Sequence, residues 1–132
     1  MLVHFPIALL AASVLFDLLG RWRHRGAFAS AAAVNLYAAA VSAPLAAASG
    51  VIAWRLQLQG AHLRGALLLH VCTAAVVIPL CWALACYRRW HSSRAGSGLP
   101  AAYHAAGGFA CVLVAATAHL GGIVSGVVTL SG

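Results

Sequence analysis

Four apolar stretches, each long enough to cross a bilayer, run through this chain at 2–20, 27–54, 65–87 and 101–130, with only short joints between them. A membrane-spanning helix needs roughly 20 mainly apolar residues. Within the hydrocarbon core each backbone amide has to be satisfied inside the protein, so a continuous apolar stretch becomes a helix. The chain is therefore read as all-α, a four-helix transmembrane bundle forming a single transmembrane domain over 1–132. Composition removes the soluble alternative. Apolar residues make up 64% and charged residues 7% of the chain, against about half and a quarter in ordinary soluble domains.

The first stretch ends in Arg21, Trp22, Arg23, His24 and Arg25 and has no basic residues before it. That polarity is wrong for a cleaved signal peptide, so it counts as a retained span. The net charge of +7 would suggest nucleic acid in a soluble protein, but the arginines lie in the joints between apolar segments, where they act as topology signals and point to no nucleic acid. Arg21, Arg23 and Arg25 fall in the first joint and Arg88, Arg89 and Arg94 in the third, against Arg55 and Arg64 in the second. The positive-inside rule then puts the first and third loops in the cytoplasm and both termini on the non-cytoplasmic side. Trp22, Tyr87 and Trp90 on one side and Trp54 on the other suit interfacial belts.

Pro6 and Pro100 mark helix starts, whereas Pro44 and Pro79 fall inside spans two and three and predict kinks. Small residues crowd span two and the Gly107, Gly108, Gly121, Gly122, Gly126 series of span four, which lets helix backbones approach closely. Cys72, Cys81, Cys86 and Cys111 lie within spans without C-x-x-C spacing and read as small hydrophobes, not as iron–sulfur, zinc or c-type haem sites. With a single carboxylate, no P-loop and no G-x-S-x-G, the chain lacks the residues for hydrolysis or phosphoryl transfer.

Histidines carry the functional signal. His24, His62 and His91 lie in or beside polar joints. His4, His70 and His119 lie inside apolar segments, where an ionisable side chain is costly and marks a candidate site. Counting along the helices places all three within about 15 Å of the non-cytoplasmic surface. Neutral imidazoles ligate haem iron and transition metals, and the core between facing helices is where a bundle holds them. Alanines and glycines flank two of them, with Ala115, Ala116, Gly122 and Gly126 around His119 and Ala66 and Ala74 around His70, leaving room beside the rings. The competing reading is that each ring only hydrogen-bonds between helices. His104 lies 15 residues before His119, about 22 Å along the axis, but has no evident partner for a second haem. Asp17, four residues before Arg21, is expected to pair with it at the cytoplasmic interface.

The segment Val3-His4-Phe5-Pro6-Ile7-Ala8-Leu9, together with Ala118-His119-Leu120-Gly121-Gly122, resembles an uncharacterised family of four-span bacterial inner-membrane proteins, over nearly the whole chain. Members open with an H-F-P-I helix, carry a histidine early in span three and end in G-H-L-G-G, and some associate with c-type cytochromes. The resemblance implies a multi-pass protein of the bacterial inner membrane, with His4, His70 and His119 as the recurrent histidines. It also implies electron transfer outside the cytoplasm. One departure is that Ile123, Val124, Ser125 and Gly126 follow the last Gly-Gly where the family often has a further histidine or aromatic.

These readings together predict a membrane b-type cytochrome-like electron-transfer subunit rather than an enzyme. It would hold haem b near the periplasmic face, with His70 and His119 as iron ligands and His4 as a third wall or alternative ligand. It would work in a larger membrane complex between a quinol and a periplasmic c-type cytochrome. Two rival expectations are a structural accessory subunit of a respiratory or photosynthetic complex, and a metal carrier using the same histidines.

Overall fold

The structure is a computed structural model that describes residues 4–23, 26–57, 59, 62–93 and 98–126. Four helices account for nearly all of these: α1 (His4–Arg23), α2 (Gly26–Gln57), α3 (Gly65–Ser92) and α4 (Ala101–Val124). Each is long and apolar enough to cross a membrane. Each of the four expected spans falls on one of these helices, with different bounds. Parts of the expected first and fourth spans, together with His24, Arg25 and Arg94, lie outside the described residues.

The helices form a ring in chain order. α1 packs most extensively on α2 and α3 on α4, while α2–α3 and α1–α4 contacts close the square. Successive helices run in opposite directions, so the bundle has two distinct ends. One carries the start of α1, the α2–α3 joint and the end of α4, and is called here the His70 end. The other is the Arg88 end.

The pattern of burial is that of a membrane bundle. Outside lie large apolar side chains, among them Leu15, Val41, Leu45, Ile52, Val76, Phe109 and Val112, all more than half exposed. Inside, many small ones lie beside a few large ones: Ala32, Ala39 and Ala110 are fully covered and Ala40, Ala43 and Ala46 nearly so, alongside Leu10, Leu36, Leu84 and Tyr103. Lipid is as apolar as leucine, so burying bulk offers no advantage over lipid contact. Close approach over small residues provides the van der Waals attraction instead. Gly107 shows how tight this is, since a Cβ there would meet Val14 Cγ2 at 3.2 Å.

One expectation is corrected. α3 does not stop at Tyr87 but continues to Ser92, which moves Arg88 out of the loop and into the bundle. The residues Val77, Cys81, Leu84, Ala85 and Arg88 form its buried face at the three- and four-residue spacing of a helix stripe. Pro44 and Pro79 lie within α2 and α3, and both helices run through them without a break.

Candidate functional site

The two ends of the bundle carry different polar chemistry. At the Arg88 end, the guanidinium donates from Nη1 to both Asp17 oxygens, at 2.7 and 2.6 Å. Nη2 donates to the Ala29 carbonyl at 2.7 Å, and Nη1 makes a longer contact of 3.4 Å to the Tyr103 hydroxyl. Asp17 and Arg88 are only 8% and 5% exposed. Ions this deeply withdrawn from water persist only when paired and hydrogen-bonded. Asp17 therefore does not pair with Arg21, which is exposed on the last turn of α1. The four groups belong to α1, α3, α2 and α4 in turn, so one guanidinium ties all four helices. It also spans the α1–α3 diagonal, across which the backbones make no close approach.

Around this clamp the packing is closed. Ser13 donates to the Ala32 carbonyl at 2.8 Å, one helical turn beyond Ala29 on α2. Tyr103 stacks on Tyr87 and meets the edge of His104. The void bounded by Ser13, Asp17, Tyr103, His104 and Gly107 measures about 10 Å³, the space of a single water at most. His104 thus belongs to this packed end, among Asp17, Tyr103 and Ser13.

The His70 end is open by comparison. A half-open cleft of about 110 Å³ lies between all four helices, walled by Pro6 and Ile7 of α1, Ala43, Ala47 and Gly50 of α2, Ala74 and Ile78 of α3, and Val114 and Ala118 of α4. Its polar lining is His70 and Thr117. His70 Nδ1 lies 2.9 Å from the Thr117 carbonyl. A carbonyl oxygen can only accept, so Nδ1 must carry the hydrogen. In the neutral ring the lone pair is then on Nε2. Nε2 has no hydrogen-bond partner among the described residues, and it is not sealed from its surroundings. The ring lies flush on α4 because position 121 is glycine: a Cβ there would stand 3.0 Å from His70 Cε1.

Of the three histidines expected to converge, the structure brings one into the bundle. His70 is half-buried, whereas His4 and His119 are exposed. Thr117 and Gly121, the residues of α4 that receive the His70 ring, share one face. His119 sits two residues from each, about 160° around the helix. His70 and His119 therefore lie on opposite sides of α4, and the expected pair of facing imidazoles is not formed within the chain. No group of three or more metal-ligating side chains is gathered among the described residues.

Fold and burial pattern define the class, a four-helix membrane bundle that sits in a lipid bilayer, with a polar clamp toward one end and an apolar cleft toward the other. Over residues 1–129 the chain matches the family described as predicted membrane protein (DUF2231), and it belongs to that family, whose function is unknown. No curated protein and no solved structure matches it.

Proposed function

We propose that this chain is a non-catalytic membrane subunit that holds a ring-bearing, lipid-soluble redox group in the cleft at the His70 end, in the service of electron transfer. The observation behind the reading is the state of His70. It is the one histidine of the bundle interior at that end, it lines an apolar cleft shared by all four helices, and its Nδ1 is engaged by a backbone carbonyl. A carbonyl on one ring nitrogen fixes the orientation and basicity of the other, the arrangement common to imidazoles that bind a ligand or metal.

Haem b is the group that the sequence favours, and His70 could offer it Nε2 as an axial ligand. The residues present do not fit an enclosed bis-histidine haem in one chain. His119 and His4 face outward, and a cleft of about 110 Å³ compares with the roughly 150 Å³ that encloses one benzene ring, far below a porphyrin. A haem on this chain would have His70 alone as its internal ligand.

The arginine distribution supports placing the His70 end on the non-cytoplasmic side. With Arg88 counted as a buried residue, the connections at the other end and the helix ends that border them still carry Arg21, Arg23, Arg25, Arg89 and Arg94 in the sequence, against Arg55 and Arg64 here. That orientation would bring the cleft toward a periplasmic electron carrier, in a bacterial inner membrane.

A second reading, a purely structural accessory subunit, is favoured by the His70–Thr117 bond itself, which joins α3 to α4 without any ligand. One preparation separates the two. The chain is purified from its native membranes, and its absorption spectrum is taken alongside mass spectrometry of an organic extract, with His70→Leu in parallel. We expect a stoichiometric ring-bearing redox compound that His70→Leu loses. A reducible Soret band lost in the variant would assign haem, bound metal without porphyrin would favour the metal carrier, and a chain carrying no haem, no other redox compound and no metal would leave only the accessory reading.

A further inference from the structure

We infer that the His70 cleft is a binding site for the head ring of a hydroquinone and that it prefers the reduced ring to the oxidised quinone. The inference rests on the reading of this cleft as a ligand site and names its occupant.

Three features of the cleft point to that chemistry. The first is size. A volume of about 110 Å³, open on one side, takes a single six-membered ring with its substituents leaning out, by comparison with the dry cavity of roughly 150 Å³ that encloses benzene. The second is apolarity. Ala43, Ala47, Gly50 and Ala74 present small, flat walls, and such a surface favours a planar apolar body over a hydrated one.

The third is the sense of the hydrogen bond on offer. Because the Thr117 carbonyl takes the Nδ1 hydrogen, the neutral His70 ring has only an acceptor left, at Nε2. A hydroquinone hydroxyl can donate to it. A quinone carbonyl, itself an acceptor, would face the Nε2 lone pair without a hydrogen between them. The same argument disfavours a lipid acyl chain, which would fill the cleft but leave Nε2 unused. No electron or proton leaves the ring in this step, which is a binding preference set by one shared hydrogen.

The test uses the full chain in nanodiscs, with equilibrium dialysis of trimethylhydroquinone under nitrogen and of trimethyl-1,4-benzoquinone in air, each corrected for partition into empty nanodiscs. One neutral hydrogen bond corresponds to a preference of roughly 5- to 10-fold. We expect saturable hydroquinone binding at one site per chain, preferred by that factor. His70→Leu should remove the preference. Filling the cleft from either wall, with Ala47→Leu on α2 or Ala74→Leu on α3, should abolish binding of both compounds, with circular dichroism checking that each variant remains helical.

Equal binding of the two compounds, or a preference for the quinone, with both filling variants still blocking, would overturn the inference while leaving the cleft a ligand site. Binding of neither compound above empty nanodiscs would overturn the inference and, if the chain purified from native membranes also carries no redox group, the ligand-site reading with it.

Discussion

The two ends of the bundle are built on opposite plans. At the Arg88 end a buried ion pair and two further acceptors tie all four helices around a void of about 10 Å³. At the His70 end one imidazole-to-carbonyl bond joins two helices beside a cleft of about 110 Å³. Every polar group of the clamp is spent on another part of the protein, whereas His70 keeps one nitrogen in reserve. The contrast teaches that, in a bundle with so few polar residues, the strongest electrostatic feature marks the scaffold. The weaker, half-satisfied one is the place where we propose that a ligand binds.

The sharpest way to break this contrast is to cut the clamp. Removing one partner, as in Arg88→Met or Asp17→Asn, leaves a buried charge or polar group unsatisfied and should cost about 3–5 kcal/mol. Reversible unfolding in mixed micelles would measure it, and the Asp17→Leu/Arg88→Met double variant should recover much of the loss. If either single variant unfolds like the parent chain, the clamp is not the scaffold.

At the other end the effects should be smaller. Gly121→Ala forces the His70 ring away from its seat on α4 and His70→Leu deletes the bond to Thr117. Each should cost about 1 kcal/mol, the scale of a hydrogen bond between membrane helices. Histidine ¹⁵N resonances would report the displaced ring in Gly121→Ala directly, and an unchanged Nδ1 signal would show that the glycine is not needed for the contact.

Smallest of all should be His119→Leu. An exposed position away from both sites should change the stability of the isolated chain by less than about 0.5 kcal/mol, measured in the same unfolding assay. A much larger loss would mean that His119 has a structural partner the bundle interior does not reveal.

The four helices and their apolar exteriors were readable from the chain because length and hydropathy depend on each segment alone. The pairing of side chains was harder, since it depends on direction around each helix as well as depth along it. The expectation for the histidines used depth only. Helical spacing carries the missing signal: the series 103, 107, 110, 114, 117, 121 runs down the inward face of α4, and His119 is off it, whereas 70, 74, 77, 81, 84, 88 runs down the inward face of α3 and includes His70. On α1 the buried residues Leu10, Ser13 and Asp17 extrapolate back to positions 6 and 7, passing His4 by. The same stripe would have revealed Arg88 as an interior residue. Its position among arginines beside an apparent loop, with Arg21 at the favourable four-residue spacing from Asp17, masked it.

The diagonal reach of Arg88 also bears on how such a chain enters the membrane. Its counter-ion is 71 residues upstream, on a helix synthesised before α3. A guanidinium on an isolated helix in the hydrocarbon is costly, so α3 can settle stably only where α1 is already waiting with its carboxylate. A product lacking α1 would leave this buried cation without its carboxylate.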